Sequence, residues 1–345
     1  MPKCNSEVGS FPVSGAGLQG PEHLSVSATF AQATGQEDAS DIIQAAIADA
    51  LSLGIGRVFL PRGTYRIDKT ITISIGGLNN QNTDRQLELV GDFAVLRAGG
   101  IGASPVLLVT GWQVAVRGLI IDCNGMAAVG LHVRDLNHRH SVVQEVTVAR
   151  SLTDGIVVEG CQGAAFRECV SRCNAGNGWR LLGNNATHFA SCSASNNNGS
   201  GFVLSGLDHQ DGPGIGVYPG GSYITRLTSE FNGLHGVELS QPFNLLRRTV
   251  GYYVVRDGIV RENRGHGIVI DSRNALVTGL WITAATDDSF AWSRGIVVGA
   301  ATRNVYVFGN YLSASTGPDG YKKPQYDATQ ASIVIDDSNF GFESD

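Results

Sequence analysis

A glycine-led motif that recurs along the chain constrains the fold more than any other feature of the sequence. Each copy is a glycine followed by three mostly apolar residues. The motif begins at Gly130, Gly155, Gly178, Gly201, Gly236, Gly267 and Gly295. The shortest spacing, 23 residues, separates Gly155, Gly178 and Gly201, and the longer spacings indicate insertions into this base unit. A fixed period of this length is the signature of a repeat architecture in which each repeat packs on its neighbours.

Other residue types repeat in register with the glycines. Asparagine stands four residues before the glycine in four repeats, at Asn174, Asn197, Asn232 and Asn263. The same 23-residue step relates Phe166 to Phe189 and Cys169 to Cys192. Because about 23 residues suit one coil of three short strands and three turns, stacked coils would place like residues on one another. We therefore expect the asparagines to bond from coil to coil, at a turn where asparagine tolerates left-handed geometry, and Cys169 and Cys192 to form an inward thiol ladder. A β-sandwich of evenly spaced hairpins is the alternative, but hairpins do not keep such columns in register.

The composition excludes several classes of protein. The chain has 45 glycines among 345 residues without a Gly-X-Y period, so it is neither collagen-like nor mainly helical. Hydrophobic residues make up 42% and charged residues 16%, which argues against disorder. The net charge of -6 offers no basic surplus for nucleic acid, and no apolar run is long enough for a membrane span. Six cysteines without a C-x-x-C motif predict neither a disulfide scaffold nor a zinc site. The first residues lack the apolar core of a secretory signal, which predicts a cytoplasmic or phage-borne protein.

The N-terminal part of the sequence predicts a lid for the repeats. Apolar residues at helical spacing follow Ser40, which we expect to be an N-cap; they are Ile43, Ala46, Ile47, Ala50 and Leu51. A strand, a Pro-x-Gly turn and a second strand come next, in RVFLPRGTYRI. An amphipathic helix at about residues 40–53 would cover the open apolar end of a solenoid.

The segment DASDIIQAAIADALSLGIGRVFLPRGTYRI resembles the opening of pectin-lyase-like right-handed β-helix proteins. The asparagine- and glycine-led coils are similar to those of alginate C5-epimerase modules, and together the resemblance covers about residues 30–340. It implies a polysaccharide lyase, an epimerase, a hydrolase, a fructotransferase or a phage tailspike, since the fold does not decide the reaction.

The catalytic motifs of these families are largely missing. Val157, Val158 and Glu159 stand where the epimerases carry D-P-H. Gly265-His266-Gly267 matches one piece of the polygalacturonase pattern and Thr153-Asp154-Gly155 loosely matches another, but R-I-K is absent. Because Gly265-His266-Gly267 also lies in the repeat frame, we interpret it as structural.

These observations predict an all-β, single-stranded, right-handed parallel β-helix with an N-terminal capping α-helix. We expect an N-terminal extension over residues 1–35 and one β-helix domain over 36–345, with regular coils at about 105–340. Inserted loops are predicted at about 206–222 and 241–254, after the same strand of adjacent coils.

Strand alternation then selects the residues that face a substrate. The first and third residues after each glycine are bulky and apolar, so the second and fourth point outward. The candidate catalytic residues on this face are Glu238, Asp271, Arg180, His132 and Glu159. The candidate substrate-binding residues, here and on the insertions, are Arg134, Asp208, His209, Tyr218, Tyr252 and Tyr253. We regard Arg180 as isolated, and a surface ion pair between Arg134 and Glu159 is an alternative to a catalytic role.

Three functions fit these residues. A polysaccharide lyase or C5-epimerase would use Arg180 or Arg134 to neutralise a uronate carboxylate, with His132, His209 or a loop tyrosine carrying protons. A glycoside hydrolase or fructosyl transferase would use Glu238 and Asp271 as its two carboxylates. A tailspike-like binding module, or an intracellular small-metabolite lyase or cyclase, is the third.

The partner expected in each case is a carbohydrate or small-molecule substrate, with neither nucleic acid nor membrane. No cofactor is predicted, although calcium is an alternative to arginine. A homotrimer along the solenoid axis is compatible with the fold, but no residue pattern specifies it.

Overall fold

The computed structural model describes residues 24–25, 33–54, 56–76, 86–137, 140–205, 221–240, 252–284, 295–299, 302–313, 325–326 and 333–335. Apart from one helix, α1 (Ser40–Ser52), the elements of these residues are strands. In chain order the strands are β1 (Leu24–Ser25), β2 (Thr34–Asp38), β3 (Arg57–Leu60), β4 (Thr64–Ile67), β5 (Ile71–Ile75), β6 (Leu87–Ala98), β7 (Gly102–Trp112), β8 (Val114–Asp122), β9 (Ala127–Asn137), β10 (Val142–Gln144), β11 (Thr147–Ala149), β12 (Ile156–Glu159), β13 (Ala165–Arg167), β14 (Val170–Arg172), β15 (Trp179–Leu182), β16 (Thr187–Ala190), β17 (Ser193–Ser195), β18 (Phe202–Ser205), β19 (Ser222–Glu230), β20 (Val237–Ser240), β21 (Tyr253–Asn263), β22 (Ile268–Asp271), β23 (Arg273–Ala284), β24 (Ile296–Val298), β25 (Arg303–Phe308), β26 (Tyr311–Ser313), β27 (Gln325–Tyr326) and β28 (Ile333–Ile335).

The strands form a parallel β-solenoid with two sheets. The ten-stranded sheet takes one strand from each coil, in the order β5, β7, β9, β12, β15, β18, β20, β22, β24 and β27. The remaining strands form an eighteen-stranded sheet around the rest of each coil. Ile156, Trp179 and Phe202 are paired across adjacent strands, which confirms the coil of 23 residues. The parallel β-helix predicted from the sequence is therefore confirmed.

Pairing in the solenoid begins earlier than the regular coils predicted from residue 105. β5 already pairs with β7, and β3 and β4 pair with β6. Within the segment predicted as an N-terminal extension, β1 pairs with β3.

The interior is built from like residues stacked on one another. The rings of Phe166 and Phe189 are parallel to within 16°, with centroids 4.8 Å apart, and Trp179 stacks on Phe202 at 5.7 Å. Cys169 and Cys192 are free thiols that are 0% and 1% exposed, so the inward position predicted for them is confirmed. Burial of these side chains supplies the main stabilisation of a solenoid.

The four asparagines form a buried hydrogen-bonded ladder, as predicted. The Nδ2 of Asn174 donates to the Oδ1 of Asn197 at 2.8 Å, Asn197 donates to Asn232 at 2.9 Å, and Asn232 donates to Asn263 at 2.8 Å. Asparagine tolerates the left-handed conformation, but these four asparagines do not adopt it. That conformation belongs to the residue before each one, at Cys173, Asn196, Phe231 and Glu262. The turn thus aims the asparagine inward, where its amide bonds the next coil.

The recurring glycines lie where a side chain has no room. A Cβ placed on Gly236 would lie 2.6 Å from the carbonyl oxygen of Gly267 and 2.9 Å from the Nδ2 of Asn263. Glycine is therefore required by the close approach of the neighbouring coil and its asparagine.

Helix α1 covers the first strand of the ten-stranded sheet. Its buried side chains include Ile43 and Ile47, and its Gln44 bonds both backbone groups of Thr72, at 3.0 and 2.8 Å. Gln44 thereby gives hydrogen-bond partners to two backbone groups of the edge strand β5, which would otherwise be free to pair with another chain. Ser40 is the first residue of the helix and Ala39 is its N-cap, so the predicted role of Ser40 as N-cap is wrong.

Candidate functional site

The outer surface of the ten-stranded sheet carries two parallel columns of side chains. In register from β9 to β22, the first column contains His132, Val157, Arg180, Val203, Glu238 and Val269. The second column contains Arg134, Glu159, Leu182 and Ser205, followed by Ser240 and Asp271. These are the positions predicted to point outward from the strand alternation, and neighbouring members of a column are about 4.8 Å apart.

His132 and Glu159 meet on a diagonal of this surface. The Nε2 of His132 lies 3.2 Å from the Oε2 of Glu159, one coil away. Arg134 stands directly beside Glu159 in the second column. The side chains of His132 and Glu159 are 24% and 29% exposed, so the pair is partly shielded and still reachable from solvent. We call His132, Arg134, Glu159 and Arg180 the His132 cluster.

Arg180, which the sequence presents as isolated, has an acidic neighbour. Its Nη1 lies 3.5 Å from the Oδ2 of Asp154, a carboxylate whose side chain is 10% exposed. The Oδ1 of Asp154 accepts hydrogen bonds from the backbone N–H and the Nδ2 of Asn177, both at 2.9 Å. The Arg180 side chain is 52% exposed, so its guanidinium is oriented by Asp154 and remains available to an anionic group in solvent.

Glu238 and Asp271 lie on the adjacent strands β20 and β22. Glu238 is paired with Val269 and Ser240 with Asp271, which places the two carboxylates diagonally in adjacent coils. In the first column, Glu238 is four strands from His132, a separation of about 19 Å at the usual strand spacing. The two groups are therefore separate clusters on one continuous surface.

Two histidines beside Glu238 come from the turns that precede β20 and β22. The rings of His235 and His266 are parallel to within 4°, with centroids 5.2 Å apart. Burial lowers the pKa of His235, and the negative charge of Glu238 partly opposes this change. Each histidine stands immediately before a recurring glycine. The sequence motif Gly265-His266-Gly267 was interpreted as structural, and neither histidine was among the predicted site residues.

Tyrosines predicted to bind substrate differ in their environments. Tyr253 is 6% exposed and packs in the core, so its predicted contact with substrate is wrong. Tyr252 is 42% exposed and lies edge-on to Tyr223, with centroids 6.3 Å apart. Asp208, His209 and Tyr218 lie outside the described residues. All three belong to the insertion that follows β18 in the sequence.

Within the described ranges, no group of three or more His, Cys, Asp or Glu side chains is arranged to hold a metal ion. Glu238 and Asp271 together supply fewer oxygen ligands than the six to eight that calcium takes. Calcium stays the alternative to arginine that the sequence allows. No helix in the described part of the chain is both long enough and apolar enough to cross a membrane.

Comparison with known proteins places this architecture in a known class. Residues 99–211 match the family described as right handed beta helix region. Together with the two sheets and the stacked coils, this match shows that the fold of the chain is a right-handed parallel β-helix.

Particular relatives are similar over different extents. A segment of 106 residues, 31% of the chain, is 33% identical to alginate lyase 7 of Azotobacter vinelandii, and it spans 11% of that protein. The A-module of a mannuronan C-5 epimerase from Azotobacter vinelandii has 18% identity and a TM-score of 0.57, over 81% of this chain and 86% of the module. The Dettilon tailspike protein has 14% identity and a TM-score of 0.61, over 92% of this chain and 66% of the tailspike.

Proposed function

We propose that this protein acts on an anionic carbohydrate polymer, as a polysaccharide lyase or C5-epimerase, at the His132 cluster. The observation that carries the proposal is the 3.2 Å contact between His132 and Glu159, with Arg134 beside it and Arg180 in the next coil. The segment that is 33% identical to an alginate lyase supports this class of substrate.

The His132 cluster contains the groups that removal of a C5 proton requires. In the tautomer in which His132 donates from Nε2 to Glu159, the lone pair on Nδ1 accepts a proton. Glu159 then stabilises the imidazolium that forms. Arg134 or Arg180 neutralises the substrate carboxylate, whose oxygens take up the electrons of the broken C5–H bond as an enolate.

The enolate has two outcomes. Return of a proton to the opposite face of C5 gives the epimer. Loss of the C4 substituent, with a proton delivered to its oxygen, gives an unsaturated uronate. For the acid of the second outcome, the sequence offers His132, His209 or a loop tyrosine.

The products formed from alginate, pectate and a neutral glucan test this proposal. We expect turnover of a uronate polymer, seen either as ultraviolet absorbance of the unsaturated product or as deuterium at C5 after reaction in D₂O. The neutral glucan is the control, since it has no carboxylate to be neutralised. Reducing ends without absorbance or deuterium would contradict the proposal.

Glu238 and Asp271 support a second candidate, glycoside hydrolysis or fructosyl transfer. Their diagonal placement in adjacent coils is compatible with the carboxyl separations of about 5–9.5 Å that glycosidases use. If this candidate is right, Glu238→Gln and Asp271→Asn each lower hydrolysis by more than about a hundredfold, because each removes an acid or a base. The matched control is Ser240→Ala, on the same strand as Glu238. Wild-type rates in both carboxylate variants would exclude the pair.

A further inference from the structure

A second hydrogen-bonded column follows the turns that precede the strands of the ten-stranded sheet. We call it the turn ladder, and its members are Asp154, Asn177, Ser200, His235 and His266. The side chain of each of the first four members accepts a hydrogen bond from the backbone N–H of the next member. The four distances are 2.9, 2.8, 3.3 and 3.0 Å in chain order. These residue types differ, but all of them offer an acceptor at the same place.

The last bond of the turn ladder depends on the protonation state of an imidazole. The backbone N–H of His266 donates to the Nδ1 of His235, so neutral His235 carries its proton on Nε2. A second proton would go to Nδ1, where it would face the His266 N–H, and the bond would be lost. The amide oxygen of Asn177 and the hydroxyl oxygen of Ser200 accept whatever the pH, because neither group titrates.

The turns that contain His235 and Gly265 are closely packed, so the imidazole has little room to move if its bond to His266 is lost. A Cβ placed on Gly265 would lie 2.7 Å from the Nδ1 of His235, so the two turns are closely packed. The charge that acts on the ring is that of Glu238, on the strand that follows His235, and the ring of His266 in the next turn stacks on it. Arg264 belongs to the same turn as His266. The preceding coil contributes Ser200, and the sequence from 196 to 205 contains no ionisable side chain.

We propose that His235 is a positioning residue whose neutral imidazole fixes the His266 N–H in the turn before β22, and that protonation of His235 loosens this turn, which backbone bonds at Gly265 and His266 continue to attach to the preceding coil. Because Asp271 ends β22 and Glu238 lies on β20, the bond helps to fix the two carboxylates relative to each other. This effect of His235 protonation does not depend on which reaction the outer surface performs, so the inference goes beyond the proposed function.

The sign of the pH effect follows from burial. Burial lowers the pKa of His235 in the folded protein below the ordinary value of about 6.5, so the unfolded chain binds more protons. The stability that neutral His235 contributes is therefore fully present above about pH 6.5, and it decreases as the pH is lowered through that value.

Amide hydrogen exchange at His266 tests the proposal directly. In the wild type, we expect the protection of this N–H to fall about tenfold between about pH 8 and pH 5, after correction for the intrinsic exchange rate. His235→Asn should keep the protection at every pH, because its Oδ1 can accept as that of Asn177 does from Ser200. His235→Ala should lack the protection at every pH.

The matched control is His188→Asn, at an exposed histidine that stacks on Tyr223 in the other sheet. It should reproduce the wild-type profile. A pH-dependent loss in His235→Asn equal to that of the wild type would overturn the proposal, because another group would then be titrating. If His235→Ala does not fold, the comparison between wild type and His235→Asn still shows whether His235 is the titrating group.

Discussion

Replacing His132 with alanine should lower turnover of a uronate polymer by about a hundredfold to ten-thousandfold, the range expected when a general base is removed. The side chain lies in an outward column and is 24% exposed, so its loss should leave the core and the coil register intact. The effect should appear in kcat, because His132 acts on the proton at C5 and does not need to bind the ground state. The measurement is steady-state turnover of the uronate polymer that the product assay identifies.

Two further variants separate the parts of the His132 cluster. Glu159→Gln keeps an oxygen near the imidazole but removes the charge that stabilises the imidazolium, so kcat should fall by a smaller factor. Arg180→Ala should raise KM as well as lower kcat, because a cation that neutralises the carboxylate acts in both ground and transition states. His188→Ala is the control, since that histidine lies on the eighteen-stranded sheet.

A particular combination of results would contradict the proposed site. If His132→Ala turns the polymer over at the wild-type rate while Glu238→Gln is inactive, the chemistry belongs to Glu238 and Asp271. If the wild type binds the polymer without changing it, the surface acts as a binding module, which is the third function that the sequence allowed.

The coil register could be predicted from the sequence because the same physical requirement recurs in every coil. Gly236 has no room for a Cβ, and Asn232 donates a hydrogen bond to Asn263. Because neighbouring coils impose the same two requirements, the same residue types recur at the same positions of the coil. Strand alternation then identifies the outward positions without any knowledge of side-chain conformation.

The contacts between outward residues could not be predicted in this way. Register places Arg134 next to Glu159, and the sequence therefore suggested an ion pair between them. The structure also brings the Glu159 carboxylate to His132 on the diagonal, a contact that the register does not indicate, because side-chain torsions decide which neighbours are reached. The acidic neighbour of Arg180 was missed for a related reason, since Asp154 comes from a turn.

The turn ladder was missed because its members share a function and not a residue type. Aspartate, asparagine, serine and histidine all accept a hydrogen bond, but a search for recurring letters does not align them. The signal that would have found them is the position immediately before each recurring glycine, read for acceptor capacity.

Replacing Asn232 with alanine should lower the free energy of unfolding by about 2–5 kcal/mol, since it leaves two buried donors without an acceptor. The Oδ1 of Asn232 accepts from the backbone N–H and the Nδ2 of Asn197, at 3.2 and 2.9 Å. Its Nδ2 donates to the Oδ1 of Asn263 at 2.8 Å, and that bond would be lost as well. Denaturant unfolding of wild type and variant gives the difference.

The control for the asparagine ladder is Asn198→Ala, at an exposed asparagine of the preceding coil. Its effect should stay within about 0.5 kcal/mol, as is usual for surface substitutions. Asn232→Asp separates the roles of the two amide atoms, because aspartate keeps the acceptors but sets a carboxylate oxygen against the Oδ1 of Asn263. It should therefore destabilise the protein even though Asn197 keeps its partner. If Asn232→Ala were no more harmful than Asn198→Ala, coil stacking would rest on the apolar core alone, and the asparagines would serve only to shape the turns.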